Sequence, residues 1–119
     1  MIDDEAELAG VLARMLRGEG FDAEIATSGR EAKKILHDRS FDLVVSDLRM
    51  PDLDGGALFE WLRAARPDQA ERMAFATGDM LSPNSARVLA AAGRPVIEKP
   101  FTRAALRRML NEIAGPTAA

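Results

Sequence analysis

The stretch F-D-L-V-V-S-D-L-R-M-P-D-L-D-G, residues 41–55, decides how this chain is read. Leu43 to Val45 are apolar without a break, the pattern of a strand buried on both faces. Strands of that kind belong to parallel sheets covered by helices. The run then drives into a cluster of acids, Asp47, Asp52 and Asp54, with Arg49 and Pro51 among them. Asp52 and Asp54 in P-D-L-D-G have the chemistry of a turn. Asp47 is different, because a solvated loop acid has no need to end a buried strand.

Working outward, the chain alternates short apolar runs with amphipathic helices. Leu8, Leu12, Met15 and Leu16 share a face over residues 5–18, and Gly18 and Gly20 end that helix. F-D-A-E-I-A, residues 21–26, alternates as a half-buried strand does. Ser28 with Glu31 forms a capping box for a helix continued by Ala32, Ile35 and Leu36. A helix is expected from about Gly56 to Ala65, and R-M-A-F-A-T, residues 72–77, is a further strand. Ser82 and Pro83 read as N-cap and first residue of a helix that ends at Gly93. R-P-V-I-E-K, residues 94–99, is the last strand. Thr102 caps a closing helix with Leu106, Met109, Leu110 and Ile113 on one face. The expected domain is residues 1–114, with 115–119 a frayed tail.

This count gives four strands, five helices and a stub, Met1–Ile2, where a first strand belongs. Either the sequence begins part-way through that strand or a very short strand suffices. The fold class is α/β, a doubly wound parallel sheet.

Composition bounds the function. The 119 residues suffice for one domain. A net charge of −3 offers no whole-chain field for nucleic acid or a membrane surface. The absence of cysteine removes disulfides, thiolate metal sites and cysteine nucleophiles, and suits a reducing, cytoplasmic setting. No apolar run approaches membrane-spanning length, and M-I-D-D-E lacks the basic and apolar regions of a signal peptide.

In open parallel sheets, ligands bind beyond the carboxyl ends of the strands. The stub delivers Asp3 and Asp4 to that rim, the strand at 41 delivers Asp47, the strand at 72 delivers Thr77, and the last strand delivers Lys99. Crowded carboxylates are stabilised by a cation between them. An all-oxygen set with no nearby histidine or cysteine selects Mg²⁺ or Mn²⁺ over zinc. Lys99 and the Thr77 hydroxyl suit phosphoryl oxygens. A carboxylate beside metal, lysine and hydroxyl can act as a nucleophile and form an aspartyl phosphate, and Asp47 is the best candidate.

D-D-E at 3–5, S-D-L-R-M-P-D-L-D-G at 46–55, A-T-G at 76–78 and E-K-P-F-T at 98–102 together resemble the receiver domain of two-component response regulators. The resemblance covers essentially the whole chain. It implies a flavodoxin-like (βα)5 sheet of order 2-1-3-4-5, here with its first strand cut to a stub. It implies Asp47 as phosphoacceptor from a histidine kinase or histidine phosphotransfer partner. Metal ligation would fall to Asp4, Asp47 and the backbone carbonyl of Arg49, with Asp3 acting nearby or through water. Thr77 and Lys99 would contact the phosphoryl group, and the Lys99–Pro100 bond would be cis. The domain would not be an enzyme beyond its own phosphorylation and slow dephosphorylation. It would be a monomer or weak dimer and touch neither nucleic acid nor membrane.

Two departures stand out. Val96 occupies the position where many members carry an aromatic switch residue, and A-G-R-P-V-I-E-K is one residue shorter than the common form. The T-G-D-M-L-S and G-R-P-V-I-E-K-P-F runs look like receivers attached to hybrid sensor histidine kinases.

Two other functions compete. A Mg²⁺-dependent phosphatase with an aspartyl-phosphate intermediate needs a second acid two residues after the nucleophile, and Arg49 stands there. A non-phosphorylated receiver that only binds partners would lack site residues that are present here. Elsewhere the plain readings hold. His37 is a surface residue late in a helix, Trp61 is packing, and Arg103, Arg107 and Arg108 form a solvated face. Met50 is equally loop packing or partner surface.

Overall fold

In the computed structural model, residues 1–3, 5–48, 50, 52–78 and 83–114 are described. Asp4, Arg49, Ser82 and the 115–119 tail, all named above, lie outside them. The order of elements is α1 (Ala6–Gly18), α2 (Gly29–Asp38), β1 (Val44–Asp47), α3 (Gly55–Ala65), α4 (Pro67–Ala70), β2 (Met73–Thr77), α5 (Pro83–Ala92), β3 (Val96–Glu98) and α6 (Arg103–Ala114).

The three strands form a parallel sheet in the order β1-β2-β3. Ile2 extends it by single parallel bridges to Ser46 on one side and Ala26 on the other. Counting Ile2 and Ala26 as the first two strand positions, the order across the sheet is 2-1-3-4-5, as expected. β1 and β2 are buried at every residue, which explains their unbroken apolar runs.

One expected strand did not form. Among residues 21–26 only Ala26 takes part in a bridge. Its alternation is real, but a parallel strand also needs its neighbour's backbone. The contacts made here are the Ile2–Ala26 bridge and the Met1 nitrogen, which donates to the Glu24 carbonyl at 2.8 Å. The helix count differs as well. Pro67–Ala70 adds a short turn of helix with proline at its start, which the hydrophobic period of residues 56–65 did not reveal.

Two apolar cores lie on the two faces of the sheet. One gathers Leu36, Val44, Leu58, Leu62, Met73 and Phe75 under α2, α3 and α5. The other gathers Leu12, Val45, Ala74, Ile97, Leu106 and Met109 under α1 and α6. Each fully buried leucine of these sets stabilises the fold by about 1.5–3 kcal/mol. Phe59 meets Phe75 edge to face, with ring centroids 6.0 Å apart. The helix signals acted as read at Ser28, whose side chain accepts from Glu31 N, and at Thr102, which accepts from Ala105 N. Gly20 and Gly93 follow α1 and α5 with φ of +94° and +64°, a region that glycine enters without strain.

Candidate functional site

The carboxyl ends of the sheet bring Asp3, Asp47, Thr77 and Lys99 to one rim. Asp3 follows Ile2 directly and is fully buried. It is held from below, since Asp3 N donates to the Ala26 carbonyl at 3.0 Å. Its Oδ1 accepts from Glu5 N at 3.0 Å. Its Oδ2 accepts from Lys99 Nζ at 3.0 Å.

Asp47 closes β1 and is held on both sides. Its N–H donates to the Ile2 carbonyl at 2.8 Å. Its carbonyl accepts from Ser46 Oγ at 2.9 Å. Its Oδ2 stands 3.4 Å from Lys99 Nζ. The Asp47 side chain is 11% exposed, so it opens to solvent at the rim while its backbone is enclosed.

Lys99 leaves the end of β3, with its N–H donating to the Thr77 carbonyl at 3.0 Å. The next peptide bond, Lys99–Pro100, is cis, as expected. Thr77 closes β2 and is buried, in register with Glu98.

The electrostatics follow from this crowding. Burial pushes the Asp47 carboxyl up to about 6, and the negative charge of Asp3 adds to the rise against the pull of Lys99. Burial works to lower the Lys99 ammonium. Its hydrogen bond to Asp3 and the charges of Asp47 and Asp3 outweigh that, so the net shift is upward. Two carboxylates thus share a single ammonium.

That imbalance is the test of whether a cation fits. A hard divalent ion beside Asp3 and Asp47 would meet oxygen donors only and would relieve their repulsion. Among the described residues no group of three or more acidic, histidine or cysteine side chains comes together.

The loop after Asp47 holds residues whose structural part was larger than their sequence reading. Asp54 caps α3, its Oδ1 accepting from Ala57 N at 2.8 Å. Asp52 reaches α2 instead, accepting from Gly29 N at 3.2 Å and Arg30 N at 3.0 Å. A Cβ on Gly55 would stand 2.5 Å from the Asp47 carbonyl oxygen, and one on Gly29 equally close to Leu53 O. D-L-D-G therefore specifies two helix caps and a close backbone approach, beyond the turn. The D-x-D-G pattern carried that signal, but Asp52's partner lies 23 residues earlier.

The remaining readings resolve simply. His37 is exposed and paired with Asp38. Trp61 packs half-buried against the first core, with Lys33 Nζ 5.3 Å from its ring centroid. Met50 is buried in that core, which makes it loop packing. Arg103, Arg107 and Arg108 are exposed, and Arg107 pairs with Glu19 at 2.9 Å. Val96 opens β3, half-buried and opposite Phe75.

A parallel sheet of order 2-1-3-4-5 with acids, a hydroxyl residue and a lysine at its carboxyl rim defines a class, the doubly wound α/β domain with a polar site beyond the carboxyl ends of its strands. The family model described as "Response regulator receiver domain" matches residues 1–111, and the chain belongs to that family. The chain is similar to the receiver domain of sensor histidine kinase PA1611 from Pseudomonas aeruginosa PAO1, a structure with a magnesium ion coordinated in its active-site cleft. The TM-score is 0.83 and the identity 26%, covering 96% of this chain and 94% of that one. It is also similar to the receiver domain of a signal transduction histidine kinase from Syntrophus aciditrophicus. There the TM-score is 0.82 and the identity 28%, covering 94% of this chain and 85% of that one. In sequence it is 37% identical over 67 residues to transcriptional regulatory protein ZraR of Escherichia coli O157:H7. That match covers 56% of this chain and 15% of the length of that relative.

Proposed function

We propose that this receiver domain accepts a phosphoryl group on Asp47 from a phosphohistidine of a histidine kinase or phosphotransfer partner. The observation that carries the proposal is the pair of distances from Lys99 Nζ, 3.0 Å to Asp3 and 3.4 Å to Asp47. One ammonium thereby bridges the fully buried Asp3 and the Asp47 carboxylate, which is the more open to solvent of the two.

In this reading an Asp47 carboxylate oxygen attacks phosphorus, the P–N bond to the donor imidazole breaks, and its electron pair stays with the ring. Lys99 stays beside Asp47 to neutralise charge on the incoming group. Thr77, closing the adjacent strand, supplies a hydroxyl for a phosphoryl oxygen. Asp3, Asp4, Asp47 and the Arg49 carbonyl would hold Mg²⁺ or Mn²⁺, with Asp3 acting nearby or through water. Such an ion supplies charge neutralisation for phosphoryl oxygens. The donor set supports it, because the rim has more negative than positive charge.

The domain's role is then signalling: it switches partner interactions in a cytoplasmic phosphorelay as a monomer or weak dimer, without touching nucleic acid or membrane. Origin in a hybrid histidine kinase is supported by the two kinase-derived receiver structures above, whereas the curated relative is a transcriptional regulator. Intact-mass measurement after treatment with acetyl phosphate and Mg²⁺ tests the proposal. One labile phosphoryl adduct, absent in Asp47→Asn, is expected. An adduct that persists in Asp47→Asn would overturn it.

A further inference from the structure

Helix α2 has an apolar inner face and a basic outer one. Ala32 and Leu36 are buried, and Ile35 packs against the same core. The outer face carries Arg30, Lys33, Lys34 and His37, the i, i+3, i+4 and i+7 positions of one stripe. Arg30, Lys34 and His37 are exposed, and Lys33 is half-buried.

This stripe works against the helix that bears it. Arg30 and Lys34 stand four residues apart, and Arg30 and Lys33 three apart, spacings at which like charges repel. Arg30 also lies in the first turn, where the helix dipole disfavours a cation. Among the described residues, none of the Arg30, Lys33 and Lys34 side chains enters an ion pair. Acids on neighbouring segments are already engaged. Glu24 pairs with Arg39, and Glu60 with Arg63. Asp38 pairs with His37, and Asp52 is taken up by the Gly29 and Arg30 amides. By the helical period, exposed Glu31 and Asp38 run along one border of the stripe.

Trp61 of α3 lies along the other border. It is half-buried, with Lys33 Nζ 5.3 Å from its ring centroid. A partly open indole beside an unpaired arginine and two unpaired lysines presents a large apolar anchor next to uncompensated charge. Tryptophan and arginine are the residues enriched at the centres of protein interfaces.

We propose that the basic stripe of α2 and Trp61 of α3 form a docking surface for an acidic helical segment of a partner protein. Charge complementarity and period identify that occupant. Carboxylates recurring at i, i+3, i+4 and i+7 on one helix would meet Arg30, Lys33 and Lys34 in register, and an apolar side chain beside them would cover Trp61. The acidic border of Glu31 and Asp38 and the net charge of −3 oppose an extended polyanion such as nucleic acid. None of these residues belongs to the cluster of Asp3, Asp47 and Lys99, and the inference stands independently of the phosphoacceptor reading.

Trp61 is the only tryptophan, so intrinsic fluorescence reports from this surface alone. The probe is a peptide of three Glu-Ala-Ala-Glu-Glu-Ala-Leu repeats, titrated into the whole chain. A saturable change in emission is expected, with affinity about tenfold or more weaker in the double variant Arg30→Glu/Lys34→Glu. Arg103→Glu/Arg108→Glu changes the net charge by the same amount on α6 and should bind as the parent protein does. Both pairs are exposed, so neither variant disturbs a core. No saturable change, equal weakening in the two variants, or an equal response to a Lys-Ala-Ala-Lys-Lys-Ala-Leu peptide would overturn the proposal. An oligothymidylate that binds more tightly than the acidic peptide, with the same dependence on Arg30 and Lys34, would overturn the protein partner in favour of nucleic acid.

Discussion

Lys99 and Asp3 are separated by 96 positions in the chain and joined by a 3.0 Å hydrogen bond at the sheet rim. The contact closes the fold at its functional edge, because it ties the residue after the stub to the residue after the last strand. Asp3 is fully buried, so its charge depends on that ammonium and on Glu5 N–H. Removing one partner of a buried ion pair leaves the other uncompensated, typically at a cost of about 3–5 kcal/mol. Lys99→Met is therefore expected to destabilise the chain by about 3 kcal/mol. Urea denaturation at neutral pH measures it, and a loss under about 1 kcal/mol would show that Asp3 is otherwise satisfied.

Asp47 has the opposite stability sign. Its folded carboxyl titrates near 6, above the ordinary 3.8, because burial and Asp3 disfavour the anion. The folded state thus holds a proton that the unfolded state has lost between those values. For this group, stability falls as pH rises from about 4 to about 6 and then levels off. Asp47→Asn removes the penalty and should stabilise the protein above pH 6, by at most about 3 kcal/mol, with little difference below pH 4. Melting curves of both proteins from pH 4 to 8 would show the two converging on the acid side.

Gly55 is constrained by the backbone of Asp47 itself. Its N–H donates to the Leu48 carbonyl at 3.0 Å, and a Cβ would fall 2.5 Å from Asp47 O. Backbone cannot yield as a flexible side chain does. Gly55→Ala should destabilise by about 1–3 kcal/mol and also lower the yield of the phosphoryl adduct, since relief requires moving Asp47. A stable variant with unchanged adduct yield would mean that the approach relaxes elsewhere.

Much of this was legible in the sequence, for identifiable reasons. β1, β2 and the faces of α1 and α6 carry their burial in their own apolar periodicity. Asp47 and Lys99 were legible because each closes a strand. The failures came where the deciding partner is distant. The alternation of 21–26 could not show that Ala26 alone pairs with Ile2. Asp52 reads as a turn residue because α2, whose first amides it binds, lies 23 positions away. Pro67–Ala70 is too short to show a helical period.

Asp52 makes a separate acid-side prediction. Backbone hydrogen bonds from Arg30 and Gly29 favour its charged form and lower its carboxyl below the ordinary value. Stability from this group is present above the unfolded value of 3.8 and is lost as pH falls through the lower folded value. Asp52→Asn should therefore lower the melting temperature at pH 7 and narrow its gap to the parent protein near pH 3. A gap that stays constant with pH would mean that the Asp52 charge is irrelevant and that only its shape tethers the loop to α2.

Among the described residues, the buried Ser85 hydroxyl in α5 has no hydrogen-bond partner. It is 2% exposed, so water does not compensate it freely. An unsatisfied buried donor costs about 1–3 kcal/mol, whereas replacement by an apolar group of nearly the same shape removes that cost. Alanine also has the better helix propensity. Ser85→Ala should then stabilise the protein by about 1 kcal/mol, raising the denaturation midpoint without changing the denaturant slope. Destabilisation would instead assign the hydroxyl a partner. Phosphorylation of this variant on Asp47 separates the two cases further. If the hydroxyl is idle, adduct yield and lifetime match the parent protein. If they change, the α5 hydroxyl takes part when the rim acquires its new charge.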